Sequence, residues 1–162
     1  MSSYKKYSKP DVNRTPTERR LRTAGRLAGL APLAPQARVL DAGCGMGDGL
    51  QALRRAYPQA RIEGIEWSWP LRLLCALRCP WARVRQGDMW RADWSGYQLV
   101  YLFQRPESMA RAAAKARAEL APGAWLVSLE FPLPDTQPQA QLRLPGGRRV
   151  WLYQFAAGAS NA

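Results

Sequence analysis

Val39-Leu40-Asp41-Ala42-Gly43-Cys44-Gly45-Met46-Gly47-Asp48-Gly49 is the stretch that decides the fold of this chain. A short apolar run ends on an acid, passes into a loop rich in glycine and leads into a segment with helical character. Glycines at such a strand-to-helix turn let the backbone approach a ligand and present amides at a helix N-terminus. The dinucleotide fingerprint needs glycines spaced GxGxxG, and the loop does not supply it: counted from Gly43 the last position is Asp48, and from Gly45 it is Leu50. The spacing here is Asp-x-Gly-x-Gly-x-Gly.

Outward from that loop the chain alternates short apolar or β-branched runs with helical stretches of about ten residues. Strands are expected at Arg38–Asp41, Arg61–Ile65, Arg83–Gln86, Gln98–Phe103 and Ala124–Phe131, and helices near Gly47–Tyr57, Trp69–Leu77 and Pro106–Glu119. Such alternation means a parallel sheet with right-handed crossovers. Toward the end, Gln141–Leu144 and Arg149–Phe155 flank Pro145-Gly146-Gly147, a hairpin signal, so the sheet should close with an antiparallel pair. Upstream, Thr15-Pro16-Thr17-Glu18 reads as a helix start with Thr15 as N-cap and Glu18 in capping-box spacing, the helix running to about Gly29. Its apolar positions Leu21, Ala24, Leu27 and Ala28 share one face. The expected organisation is a basic arm over 1–14, one α/β domain over 15–156 and a tail over 157–162.

Two further acids fall where a nucleoside would need them. Glu66 ends the second strand, in line to accept hydrogen bonds from both hydroxyls of a ribose, and Asp88 follows the third, where its carboxylate can accept from an adenine amino group while Met89 packs on the ring. With Asp41 they line the carboxyl ends of three consecutive parallel strands, which makes a single crevice.

DAGCGMGDG, IEGIEWS and RQGDMW resemble motifs I, II and III of the class I S-adenosylmethionine-dependent methyltransferases, and the resemblance runs from Thr15 to Phe155. More narrowly, the Thr-Pro segment, LVYLFQRPESM, WLVSLEFPLP and RRVWLYQF resemble the small protein-lysine methyltransferases. That group includes the archaeal broad-specificity enzyme and the mitochondrial enzymes for the ATP synthase c-subunit and the adenine nucleotide translocase. The resemblance implies a Rossmann-like, mostly parallel seven-stranded sheet with helices on both faces and a C-terminal antiparallel hairpin. It implies S-adenosyl-L-methionine as cofactor, bound by Asp41, Gly43, Gly45, Gly47, Glu66, Trp67, Asp88 and Met89, and a lysine side chain of a protein as acceptor. The chain departs from the mitochondrial members in having no hydrophobic membrane segment before the core.

Methyl transfer from an activated donor asks chiefly for alignment, worth ~7–11 kcal/mol. A lysine acceptor, with an ordinary pKa of ~10.4, must also lose its proton. The chain has no His to serve as base. A desolvating aromatic pocket lowers an amine's pKa, and Trp67, Trp69, Trp90, Tyr101, Phe103 and Phe131 are candidate walls. Phe103 and Gln104 at the end of the fourth strand and Glu130 at the end of the fifth are the expected acceptor-orienting residues. The fourth strand reads Phe103-Gln104-Arg105-Pro106 where exocyclic-amine methyltransferases commonly carry Asn/Asp-Pro-Pro-Tyr/Phe, which argues against adenine and cytosine as acceptors. Only about ten residues around Leu133–Gln139 separate strands five and six, so the site should be uncapped and open to a macromolecule. An RNA or small-metabolite methyltransferase, or a binding module without transfer activity, are the alternative readings.

Composition bounds these readings. With 162 residues, 47% hydrophobic and 22% charged, the chain is a globular protein of about one domain. No window approaches the ~18–20 apolar residues of a membrane span. The net charge of +12 invites an anionic partner, although the arginines are scattered through every segment, as in the products of GC-rich genes. Three cysteines, Cys44, Cys75 and Cys79, with no CxxC pair and no His, argue against a disulfide framework or a zinc site, and a reducing cytoplasm is the expected setting.

Overall fold

The computed structural model describes residues 16–156. The expected arm, the Thr15 cap and the C-terminal tail lie outside the described residues. Helix α1 (Pro16–Leu30) precedes β1 (Arg38–Ala42), α2 (Asp48–Ala56), β2 (Arg61–Glu66), α3 (Trp69–Arg78) and β3 (Arg83–Gln86). Then come β4 (Leu99–Leu102), a 3₁₀ turn (Pro106–Ser108), α4 (Met109–Glu119), β5 (Trp125–Leu129), β6 (Ala140–Arg143) and β7 (Arg149–Gln154).

The strands form one seven-stranded sheet in the order β3-β2-β1-β4-β5-β7-β6. The first five run parallel, while β7 is antiparallel to both β5 and β6, as the Pro145-Gly146-Gly147 turn predicts. Strand order reverses beside β1, where Asp41 is registered against Gly64 of β2 and Tyr101 of β4. In an open parallel sheet that switch point, at the carboxyl ends of the strands, is where a crevice forms.

Each face of the sheet buries an apolar layer. Ala24 and Leu27 of α1, Leu50 and Leu53 of α2 and Cys75 of α3 cover one face. On the other, Met109, Ala112, Ala113 and Ala116 of α4 pack with Trp94 and Tyr97 from the helix-free connection between β3 and β4.

The expected boundaries shift at two points that shape the crevice. Pro106 opens a 3₁₀ turn rather than α4 itself, which begins at Met109. The fifth strand was expected to reach Phe131 but stops at Leu129, because Glu130 takes φ 73° and turns the chain off the sheet. A left-handed backbone at a residue with a Cβ is uncommon and costly. It is held here by the Glu130 N–H donating to the Arg149 carbonyl (2.7 Å) and the Trp151 indole donating to the Glu130 carbonyl (3.2 Å).

Candidate functional site

The loop after β1 is tied to β2 from the front. The amides of Gly43 and Cys44 both donate to the Ile65 carbonyl, at 2.9 and 3.0 Å. The Gly45 amide donates to Glu66 Oε2 at 2.7 Å, and Glu66 Oε1 accepts from the Ser68 amide at 3.1 Å. The Glu66 carboxylate therefore braces the loop, and with about four lone-pair sites it retains capacity for hydroxyl donors.

From behind, the end of α3 clamps the same loop. Arg78 donates to the Met46 carbonyl (2.8 Å) and to Asp48 (3.0 Å), while the Cys79 thiol lies 3.7 Å from the Gly47 carbonyl. All three cysteines are free and buried, with Cys44 and Cys75 sulfurs 3.7 Å apart. Gly47 caps α2 at φ 97°, and a Cβ there would meet the Cys79 sulfur at 2.8 Å, so both conformation and space require glycine. Gly45, at φ 52°, has nothing within 4 Å of the position a Cβ would take, so this turn of the loop faces open space.

Two hollows meet at Gly43. The smaller, about 380 Å³, is lined by Glu66, Trp67, Asp88, Met89 and Gln104 at the ends of β2, β3 and β4. Asp88 Oδ1 accepts from the Trp90 amide at 2.9 Å, which fixes the carboxylate at the rim. The larger, about 830 Å³, runs between α1 and the β6–β7 hairpin, with Asp41, Gly45, Tyr101 and Phe103 among its walls. The expected cofactor residues are thus gathered around one loop: Gly43 faces both hollows, Asp41 and Gly45 the larger, and Glu66, Trp67, Asp88 and Met89 the smaller.

Asp41 is buried at 3% exposure, and burial, then the nearby Glu66 carboxylate, push its pKa up to about 8. Among the described residues no hydrogen bond or ion pair reaches its carboxylate. In that condition the carboxyl holds its proton near neutral pH, and a cation brought beside it would favour the ionised form.

The expected acceptor residues divide. Phe103, 45% exposed, stands in the larger hollow and stacks on Phe131 with centroids 6.4 Å apart and planes within 3°. Gln104 turns to the smaller hollow, its amide nitrogen 3.0 Å from where a Gly43 Cβ would lie. Glu130 pairs with Arg148 at 3.3 Å, and the Arg148 guanidinium sits 5.3 Å above the Phe103 ring. Arg148 escaped the sequence reading, although it is the first residue after the legible Gly146-Gly147 turn. Its meeting with Phe103 depends on the hairpin register and on the turn at Glu130. Of the other expected aromatic walls, Tyr101 lines the larger hollow and Trp67 and Trp90 the smaller, while Trp69 is 63% exposed on α3.

Comparison with known proteins follows the same lines. Residues 41–140 match the ANTKMT methyltransferase domain, a lysine methyltransferase family. Trans-aconitate 2-methyltransferase of Variovorax paradoxus is 29% identical over 140 residues, covering 83% of this chain and 53% of that protein. The Delftia acidovorans enzyme of the same name is 30% identical over 134 residues, covering 77% of this chain and 48% of its own. The chain thus spans about half the length of the curated relatives it matches. Among solved structures, an RNA methyltransferase from Salinibacter ruber in complex with S-adenosyl-L-homocysteine is similar with a TM-score of 0.75 at 23% identity, covering 92% of this chain and 97% of the other. TrmN from Thermus thermophilus gives 0.62 at 20% identity, covering 82% and 48%. These two likenesses bear on the fold, a Rossmann-like methyltransferase sheet closed by an antiparallel hairpin. With the family match extending over more than half of its length, the chain belongs to the ANTKMT methyltransferase domain family.

Proposed function

We propose that the chain is an S-adenosylmethionine-dependent methyltransferase that N-methylates a lysine side chain of a protein. The residues fit the cofactor. The uncompensated buried carboxylate of Asp41 suits an ammonium group, the space beside Gly45 suits a ligand chain lying against backbone, and Glu66 and Asp88 offer acceptors for ribose hydroxyls and an adenine amine. Trp67 and Met89 supply apolar walls for the base, and the backbone of Gly43, Gly45 and Gly47 frames the amino-acid end. When bound, the cofactor supplies a methyl group on a sulfonium, already activated for transfer.

The chain's own task is then to orient the acceptor and lower its pKa. Phe103, stacked on Phe131, gives the larger hollow an apolar wall where an acceptor amine would lose water, and the Arg148 guanidinium above Phe103 disfavours a second cation nearby. Both effects push a lysine amine toward its neutral, nucleophilic form. Gln104 steadies the wall shared with Gly43, and Glu130, held by Arg148, is an acceptor at the rim for an approaching amine. The observation that carries this reading is Phe103, stacked on Phe131, standing in the larger hollow beside the glycine loop.

A second reading has its own support. Arg19, Arg20, Arg55 and Arg78 line the larger hollow with Arg148, a lining suited to a small polycarboxylate such as the substrate in the curated relatives' name. Incubation of a cell lysate with labelled S-adenosylmethionine separates the two. Label that survives ribonuclease but not protease supports the protein acceptor, label in the small-molecule fraction supports the polycarboxylate, and label lost to ribonuclease overturns both.

A further inference from the structure

Helix α3 is turned inside out for a surface helix. Its buried residue is Cys75, whereas Trp69, Leu73, Leu74 and Leu77 are exposed at 63, 46, 44 and 70%. At about 100° per residue these four and the exposed Pro70 fall in one outward arc about 140° wide that contains no polar side chain. Nine large apolar side chains are exposed among the described residues, and six of them lie between Trp67 and Trp81. Scattered exposed apolar residues are ordinary, but a contiguous patch on one helix marks a contact surface.

Charge around the patch indicates what it contacts. From Trp67 to Gly87 the sequence has no Asp or Glu; on α3 itself Arg72 borders the arc, and Arg78 at its C-terminal end pairs with Asp48 of α2. Arg54 of α2 adds a guanidinium 5.3 Å above the Trp81 ring at the patch margin. The surface is the convex side of a helix rather than a groove, so it fits a plane. Aliphatic centre, indole margin and a rim of arginines are the pattern of a helix lying in the interface of an anionic bilayer.

We infer that the outward face of α3, with Trp69, Leu73, Leu74 and Leu77 at its centre and arginines at its rim, docks the protein on an anionic lipid surface. Trp67 belongs both to this margin and to the smaller hollow, so docking brings the mouth of that hollow to the headgroup layer. The inference stands independently of the acceptor proposed above.

The test is co-sedimentation of the full chain with phosphatidylcholine vesicles, with and without about one-third phosphatidylserine. The expected result is binding to the serine-containing vesicles, little to pure phosphatidylcholine, and loss of about tenfold in the bound fraction for the double variant Leu73→Gln with Leu77→Gln. That variant keeps every arginine, so it separates insertion of the apolar arc from general attraction by a basic protein. Both positions are exposed, and an unchanged circular dichroism melt confirms that the variant folds. No binding by the parent, equal binding to uncharged vesicles, or full binding by the double variant would overturn the inference. So would a concentration-dependent dimer, seen by sedimentation velocity, that the double variant abolishes, because the patch would then cover a second copy.

Discussion

The two hollows that meet at Gly43 are constructed on different principles. The smaller one is lined from consecutive strand ends by backbone and by acids, with Glu66 fixed through the Gly45 and Ser68 amides and Asp88 through the Trp90 amide. The larger one is walled by side chains brought from α1, α2, β4, β5 and the β6–β7 hairpin, with arginines set among mostly aliphatic groups beside Tyr101 and Phe103. A site whose groups are braced by backbone hydrogen bonds changes only when the backbone is disturbed, whereas one built from side-chain tips can be altered one residue at a time. The hollow proposed to hold the nucleotide should therefore fail in binding, and the one proposed to hold the acceptor in turnover.

The largest expected effect breaks the backbone end. Gly45→Val puts a β-branched residue at φ 52° and fills the open side of the loop, so calorimetric titration should find no S-adenosylmethionine binding by a protein that still melts cooperatively. Unaltered affinity would remove the loop from the cofactor site. Glu66→Ala is next. It deletes the loop brace and the proposed acceptor for the ribose, and affinity should fall by about 1.5–3 kcal/mol, the scale for hydrogen bonds to a charged group.

Asp41 gives a comparison in pH. Its folded pKa of about 8 lies above the ~3.9 of an unfolded aspartate, so between these values the folded state holds a proton that the unfolded state has released. Its contribution to stability is therefore most favourable below about pH 4, declines as pH rises toward 8, and then levels off, with a slope of at most ~1.4 kcal/mol per unit. The chain has no His to obscure this window. Urea unfolding across the range should follow that decline, and Asp41→Asn should flatten it. A parent protein whose stability is level from pH 5 to about 8 would contradict the assignment. The smallest effect concerns the side-chain end. Phe103→Ala should lower turnover about tenfold by wetting and loosening the acceptor position while leaving cofactor affinity within about twofold. A variant with full turnover would take Phe103 out of the acceptor wall.

The same contrast explains what could be read from the chain alone. Residues Asp41 to Gly49, Glu66 and Asp88 were legible because strand-end chemistry is written locally: Asp41 and Glu66 fall at the ends of apolar runs, the glycine loop follows Asp41, and Gly87-Asp88 comes directly after the third strand. The hairpin was legible from Pro145-Gly146-Gly147. Arg148 was not, because its neighbours Phe103 and Glu130 are set by strand register and by a left-handed residue that ends β5 two residues early. Gln104 was expected beside the acceptor, but the chain leaves the sheet after Leu102 and turns its amide toward Gly43. Nor was the outward face of α3 legible, since a leucine-rich helix at period 3.6 ordinarily points such a face at the core.

The chemical form of the transferred methyl group tests the central claim most directly. Protein from the labelled lysate reaction, taken through acid hydrolysis and amino-acid chromatography, should yield label that co-elutes with N-methylated lysine, and the Gly45→Val variant should yield none. Label released by mild alkali as methanol would mark a methyl ester on a carboxylate and contradict the lysine assignment.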